Sequence, residues 1–393
     1  MFRVLTGNHS AAFAAALSRV QVVPAYPITP QTQIIEKISE FVDTGQLDAK
    51  YIRVESEHSA MAACIGASAA GARAFTATSS HGLLYMGEMV FWASASRLPI
   101  VMPVTCRTIG PPWNIWNEHT DMLSLRDAGW IQIFVESNQE ILDTVIQAYR
   151  IAEDEEVLLP VMVGLDAFTL SHTSEPVDIP SQETVDSFLP PRTGKPFVLD
   201  PSRPITFGNM AYPSHYMELK FTHNKALEGA CEVIAEVDRE WRRLVGRGYG
   251  GLIDEFMCDD AEVIVIAIGS SAGDAKEAAK SLREKGVKAG VLRLRVVRPF
   301  PVQSIKRVIS RVKAVAVVDR NLSPGSGGIL ASEVKSALYG LHKPPFVKGY
   351  VAGLGGRDIA VGDFVNLFER TLSSRDEGDD RSEWVNLNLE VLH

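Results

Sequence analysis

Between residues 20 and 168 short β-branched runs alternate with helical stretches, and this alternation narrows the possible folds more than any other feature. Segments 20–25, 51–54, 74–78, 98–105, 131–135 and 158–164 read as strands, with helices such as 58–70 and 82–95 between them. Continuous apolar strands separated by helices make a parallel sheet covered on both faces. The expectation is a doubly wound α/β domain, in which ligands bind outside the carboxyl ends of the strands. Thr29, Glu57, Ser79, Ser80, His81 and Arg107 all fall at those ends.

From about 170 to 260 the pattern breaks into SEPVDIPSQE and LPPRTGKPF, then a charged helix near AEVDREWRRLV, read as a connection wrapping over the first domain. A second alternation follows: AEVIVIAIG, a helix over 272–285, AGVLRLRVV, a helix after Pro301, AVAVVD, a helix after Gly327, and FVKGYVAG. It predicts a second, smaller α/β domain. The expected boundaries are 1–245, 246–372 and a tail at 373–393 that begins as a solvated charge run and ends amphipathic, suited to packing on a partner. A length of 393 residues agrees with two or three domains at ~150 residues each.

A composition of 46% hydrophobic and 22% charged residues is that of a globular chain with a proper core. The formal charge of -9 argues against a general nucleic-acid binder, which needs a basic face. Cys64, Cys106, Cys231 and Cys258 form no C-x-x-C pair, so the chain alone offers neither a zinc nor an iron–sulfur site, and scattered thiols suit a reducing compartment. The alanine-rich start contains Gly7, Asn8, His9 and Ser10 and runs into a strand, so it reads as part of the fold rather than a signal. No apolar run approaches the ~18 residues of a membrane span. A cytoplasmic protein is expected.

AYPITPQT, residues 25–32, is a stiff polar turn: each proline fixes its own φ and holds Tyr26 and Thr29 extended. Ile34, Ile35, Ile38, Phe41 and Val42 follow at helical spacing. Thr29 then reads either as a helix N-cap with Pro30 at the first helical position, or as a hydroxyl presented with free N–H groups to an anion. In YIRVESEHSA, Glu57 stands in the first turn of a helix. Its carboxylate could serve the helix dipole, join Glu55 and His58 on a metal, or bond a ring nitrogen of a buried cofactor. TATSSHGLLYMGEM is a strand, a hydroxyl-rich turn and a helix, suited to an anion or to plain capping. In RLPIVMPVTCRTIGPPWNIWNEHTDM a strand ends at Cys106, followed by Arg107 and a loop with Trp113 and Trp116. That arrangement fits carboxylate recognition in an apolar pocket, or a surface arginine beside core tryptophans. GSGG at 325–328 and GLGGRD at 353–358 have no P-loop spacing, and a flavin or nucleotide enzyme would need a phosphate loop that PITPQT is not.

Taken together, GN at 7–8, AYPITPQT, VESEHSA at 54–60, GARAFTATSS at 71–80, LPIVM at 98–102, NIWNEHTDML at 114–123 and GLGGRD resemble the alpha subunit of 2-oxoacid:ferredoxin oxidoreductases, nearest to pyruvate synthases. The resemblance covers nearly the whole chain. It implies a thiamine-diphosphate-binding, pyrimidine-type doubly wound domain followed by a transketolase-C-terminal-like α/β domain. It further implies oxidative decarboxylation of a 2-oxoacid, acyl transfer to coenzyme A, and electrons passed through 4Fe–4S clusters to ferredoxin. Beta, gamma and delta subunits, or fused equivalents, would be partners; the beta subunit would hold the diphosphate and Mg2+, and the clusters would lie outside this chain. By the same resemblance Glu57 would protonate the aminopyrimidine, with Pro27, Ile28, Ser80 and His81 also at the cofactor. Thr29 and Arg107 would bind the substrate, with Trp113 and Asn114 beside them. One departure is His81, where that family usually has glutamine. Pyruvate is the favoured substrate, with branched-chain 2-oxoacids as the alternative; no second basic residue is evident for 2-oxoglutarate. A non-catalytic assembly module would have no use for Glu57 in that setting.

Overall fold

A computed structural model describes residues 1–192 and 197–392; within LPPRTGKPF, positions 193–196 lie outside the described residues, as does position 393 of the expected tail. The chain opens on β1 (Phe2–Thr6) and α1 (Gly7–Leu17). It continues through β2 (Val22–Ala25), α2 (Thr32–Asp43), β3 (Lys50–Arg53), α3 (Glu57–Ala69), β4 (Ala74–Phe75), α4 (Ser80–Tyr85), α5 (Gly87–Ala95) and β5 (Ile100–Cys106). Next come α6 (Thr120–Ser124), β6 (Ile131–Phe134), α7 (Asn138–Ala152), β7 (Val161–Asp166), β8 (Ser174–Asp178), α8 (Gln182–Phe188) and α9 (Pro213–Val245). The second alternation is β9 (Ile253–Phe256), β10 (Val263–Ala267), α10 (Ser271–Glu284), β11 (Ala289–Leu294), β12 (Val296–Arg298), α11 (Val302–Ile309), β13 (Ala314–Asp319), α12 (Ile329–Leu338), β14 (Phe346–Val351), α13 (Val361–Glu377) and β15 (Glu383–Trp384).

The first sheet has the order β12-β6-β7-β5-β4-β2-β3, parallel except at β12. The second is β15-β14-β13-β10-β11-β9, parallel except at β9. The starting segment does belong to the fold, since β1 pairs antiparallel with β8. Among the described residues no helix is long and apolar enough to cross a membrane.

Three expectations are corrected. The strand at 74–78 is interrupted: it pairs over Ala74–Phe75 and again only as a single bridge of Thr78 to Val104, because the flanking strands carry Pro24 and Pro103 and each proline lacks an N–H for the ladder. Thr76 Oγ1 donates to the Pro24 carbonyl instead, at 2.9 Å. The helix expected over 82–95 is two, α4 and α5, meeting at Met86. AGVLRLRVV is also two elements: β11 stays in the second sheet, while β12 crosses to the first and pairs antiparallel with β6.

Arg295 sits at that crossing. It is fully buried and forks onto Glu140 Oε1 at 3.0 Å, the Gly251 carbonyl at 2.9 Å, and Thr144 and Gln147 at 3.0 Å each. Arg293 takes the other Glu140 oxygen at 2.7 Å. A buried charge needs such partners, so the polar face of α7 dictates where the second half of the chain attaches. The wrapping connection is mainly α9, a helix of 33 residues. Ala226, Ala230, Ile234, Val237 and Trp241 form its buried stripe, with Trp241 edge-on to Phe188 at 4.8 Å. Its first turns expose Tyr216, Met217, Leu219 and Phe221. The charge run at the start of the tail begins on the last turns of α13 and continues past its end at Glu377, and beyond it β15 adds an edge strand to the second sheet.

Arg295→Ala strands half of a buried carboxylate. It should cost about 3–5 kcal/mol of unfolding free energy, read from the midpoint of urea denaturation at unchanged slope; a loss under about 1 kcal/mol would show that Glu140 does not anchor the crossing.

Candidate functional site

Four loops gather at the carboxyl ends of β2, β3, β4 and β5. Of the two readings of the turn after β2, the capped helix start does not hold. α2 begins at Thr32, two residues later than Pro30 would have placed it, and Gln31 occupies the cap position without a side-chain cap bond. The turn is held from below: buried Gln31 donates Nε2 to the Tyr26 carbonyl at 2.9 Å, and buried Asn8 donates to the Pro30 carbonyl at 2.8 Å. These bonds relieve Thr29 of capping. The Thr29–Pro30 peptide is cis, and Pro27 and Thr29 are exposed while Ile28 is half-buried on the same turn.

Glu57 is the first residue of α3, capped by Ser56 Oγ, which accepts from the Ser59 N–H at 3.2 Å. Its side chain is only 6% exposed, yet among the described residues its carboxylate accepts no hydrogen bond. It lies against Gly82: a Cβ there would come within 2.5 Å of Glu57 Oε1 and 2.7 Å of Thr78 Oγ1. Thr78 Oγ1 is itself buried without a partner among the described residues. A glycine thus lies between a carboxylate and a hydroxyl that have no hydrogen-bond partner among the described residues. The metal reading of this segment has no geometry behind it. Glu55 turns to Ser59 Oγ, His58 lies 3.6 Å from Glu88, and among the described residues no group of three or more candidate ligands converges.

Arg107 follows β5 and is nearly buried. One terminal nitrogen donates to the Thr29 carbonyl, the other lies 3.3 Å from His81 Nδ1, and Nε is buried without a partner among the described residues. Burial pushes the guanidinium below its ordinary pKa, and the carboxylates of Asp121 and Glu57 oppose that shift. The Trp113 ring lies 5.5 Å from the Arg107 Cζ and edge-on to His81 at 6.1 Å, although the indole is 60% exposed. His81 Nε2 accepts the Gly110 N–H at 3.1 Å. Ser80, beside it, donates Oγ to the Thr108 carbonyl.

Thr29, Ser80, His81, Arg107 and Trp113 are therefore brought together, with Glu57 close enough to Arg107 to act on its charge. Asn114 points elsewhere: its Nδ2 donates to the Gly355 carbonyl at 3.0 Å and its Oδ1 accepts from the Trp116 N–H at 2.9 Å. This contact explains GLGGRD. A Cβ at Gly355 would stand 2.8 Å from Asn114 Nδ2, one at Gly356 would overlap Trp116, and both backbones have positive φ. GSGG has a different cause. The α12 N-terminus after it is filled by Asp319, which accepts from the N–H groups of Leu330 and Ala331 at 2.7 and 3.0 Å.

Two acids at this site were not singled out by sequence. Asp121, inside NIWNEHTDML, is fully buried and accepts from Ser80, Arg107 and Met122; burial pushes its carboxyl up to about 7 against those donors. Asp166, at the end of β7, meets His119 Nε2 at 2.7 Å and Arg320 at 3.5 Å. Burial would raise it, but the facing imidazole and guanidinium hold it well below the usual carboxylate range.

Comparison with known proteins agrees with this architecture. The family model described as pyruvate flavodoxin/ferredoxin oxidoreductase, thiamine diphosphate-binding, matches residues 13–239, and that of pyruvate:ferredoxin oxidoreductase core domain II matches 261–364. Pyruvate synthase subunit PorA of Methanocaldococcus jannaschii is 49% identical over 387 residues, covering 98% of each chain. Ketoisovalerate oxidoreductase subunit VorA of Pyrococcus furiosus is 50% identical over 361 residues, covering 92% of this chain and 91% of that one. Among solved structures, the 2-oxoglutarate:ferredoxin oxidoreductase of Magnetococcus marinus, with 2-oxoglutarate, coenzyme A and succinyl-CoA bound, has a TM-score of 0.73 at 19% identity. The match covers 94% of this chain but only 65% of that one, and supports the fold alone. A split-gene transketolase has a TM-score of 0.54 at 15% identity, over 94% of this chain and 98% of that one. With one family model matching more than half its length and relatives near half identical from end to end, the chain belongs to the pyruvate flavodoxin/ferredoxin oxidoreductase family.

Proposed function

We propose that this chain is the alpha subunit of a thiamine-diphosphate-dependent pyruvate:ferredoxin oxidoreductase, converting pyruvate and coenzyme A to acetyl-CoA and CO2 with electrons to ferredoxin, or running the reverse synthesis. The observation that carries the reading is Glu57: a buried carboxylate without a hydrogen-bond partner among the described residues, seated beside a glycine whose missing Cβ makes room for that carboxylate. Those residues fit an aminopyrimidine. Bound thiamine diphosphate supplies a nucleophilic carbon and an electron sink for loss of CO2.

Glu57 is assigned to hold a proton at the ring nitrogen facing it, a task suited to a carboxyl shielded from water. Pro27, Ile28, Ser80 and His81 are assigned to the walls around that ring. Arg107 is assigned to the substrate carboxylate, with Nε free and a tryptophan limiting water above it. The exposed Thr29 hydroxyl faces no capping duty and is assigned to the substrate carbonyl or carboxylate. Trp113 and Asn114 close the pocket, the latter through its loop's anchor on Gly355.

In this reading residues 1–245 form the aminopyrimidine domain, 246–372 the transketolase-C-terminal-like domain and 373–393 a tail. Mg2+ with the diphosphate, and the 4Fe–4S clusters, are assigned to beta, gamma and delta partners; the four widely spaced cysteines here support that division. The word "subunit" in the relatives' names and the exposed apolar start of α9 support assembly with partners, which we place in the cytoplasm with ferredoxin as acceptor. Branched-chain 2-oxoacids are a second reading, favoured by the identity to VorA chains.

Glu57→Gln in the assembled enzyme should lower turnover about 10²–10⁴-fold with thiamine diphosphate content and circular dichroism retained; full turnover would remove Glu57 from the chemistry. Arg107→Ala should raise KM for the 2-oxoacid about ten- to a hundredfold, the worth of a charged hydrogen bond, and an unaltered KM would take it out of the pocket. Coenzyme-A-dependent, anaerobic reduction of ferredoxin should run fastest with pyruvate when compared with 2-oxoisovalerate and 2-oxoglutarate. Preference for 2-oxoisovalerate would replace the pyruvate assignment by the branched-chain one.

A further inference from the structure

We infer that Asp121 is a positioning residue for the substrate clamp: one buried carboxylate oxygen fixes the backbones of Ser80 and Arg107 together, and so sets where the Arg107 guanidinium and the His81 imidazole meet. This rests on the assignment of Arg107 to the 2-oxoacid carboxylate.

The same oxygen, Asp121 Oδ2, accepts the Ser80 N–H at 2.9 Å and the Arg107 N–H at 3.0 Å. Those peptides come from different loops, one after β4 and one after β5. The other oxygen accepts the Met122 N–H at 2.7 Å, which fixes the carboxylate plane from its own helix. Nothing exposed takes part, since Asp121 has no solvent accessibility. Ser80 also needs holding, because its φ of +47 lies in the left-handed region that non-glycine residues avoid.

The side chains cannot set this placement themselves. His81 Nε2 faces the Gly110 N–H and Nδ1 faces an arginine nitrogen, so both partners are donors. A neutral imidazole carries one acceptor, and satisfies one of them at a time. Among the described residues the guanidinium accordingly has one hydrogen-bonded anchor that His81 does not share, the Thr29 carbonyl, and an Nε without a partner. Beyond the Trp113 ring, its constraint comes through the backbone, which the bridge to Asn117 holds on one side and Asp121 joins to the Ser80 loop. The charge of Asp121 also acts on the guanidinium, opposing the effect of burial.

Asp121→Asn is isosteric, but its amide nitrogen must face either the Met122 N–H or the Ser80 and Arg107 pair, donor to donor. Steady-state kinetics of the assembled enzyme would be compared for Asp121→Asn and Arg107→Lys, varying the 2-oxoacid and coenzyme A separately. The expected result is a rise of about tenfold or more in the 2-oxoacid KM for both variants, with the coenzyme A KM and thiamine diphosphate content within about twofold of wild type. If Arg107→Lys raises that KM and Asp121→Asn does not, the positioning role is overturned while the carboxylate assignment stands. If Arg107→Lys leaves it unchanged, the carboxylate assignment falls and this inference with it. Equal rises in both substrates' KM would mark a general structural defect and overturn the role. Should Asp121→Asn fail to assemble, hydrogen exchange in the unmodified complex decides: the Ser80 and Arg107 amides should exchange as slowly as core strand amides. Exchange as fast as in the 109–116 loop would overturn it.

Discussion

Glu140 lies on a helix that faces the first sheet on one side and the second half of the chain on the other, and both its oxygens are taken by guanidinium groups from that second half. Once Arg295 is committed there, the chain cannot continue in the second sheet; it crosses and adds β12 antiparallel to β6. The two sheets are then joined by backbone hydrogen bonds as well as by charge. Removing either guanidinium leaves a buried carboxylate under-satisfied, which costs more than the pair contributes when intact. The crossing thus fixes the placement of the second α/β unit beside the loops that follow β5 and precede α6.

That placement matters for the site because the loop carrying Trp113 and Asn114 has little secondary structure of its own. It is held by contacts to both sheets. Asn114 and Asn117 bond Gly355 and Gly356, the His119 N–H bonds the Arg320 carbonyl, and the His119 ring bonds Asp166. Three buried acids in the region have different partners. Asp166 faces an imidazole and a guanidinium and stays charged well below neutrality, Asp121 accepts from three backbone N–H groups and is pushed by burial up to about 7, and Glu57 faces no hydrogen-bond donor of the described chain. In a low-dielectric site the last condition is the one that leaves a carboxyl free for an incoming group.

Much of this could be read from sequence where the signal is periodic. The strands after Tyr51, Leu98 and Ile131, the first-turn position of Glu57 and the place of Arg107 past a buried strand all follow from apolar runs and their ends. What could not be read depends on partners far away in the chain. The early end of β4 is set by prolines on both flanking strands, and the break in AGVLRLRVV by a glutamate 155 residues upstream of Arg295. The turn at PITPQT carried a correct signal for stiffness, but the helix cap read at Thr29 is not formed, and the turn is held by buried Gln31 and by Asn8 from α1. Asp121 has no periodic signature at all; its meaning lies in two N–H groups that sequence cannot bring together.

The two glycine-rich turns of the second unit make the same point from the other side. Phosphate loops need glycine so that backbone N–H groups can reach an anion. Here the helix start after GSGG already has its anion, the Asp319 carboxylate, which a Cβ at Gly328 would strike, so the glycine is needed for the protein's own acid. At GLGGRD the close approach is to Asn114 and Trp116 of the first unit. Small residues therefore serve this fold by letting the second unit come near enough to brace the loop over Arg107. A bulkier residue at Gly355 or Gly356 would act on the proposed substrate pocket from a distance, through the strain it places on Asn114 and Trp116 in the loop that carries Trp113.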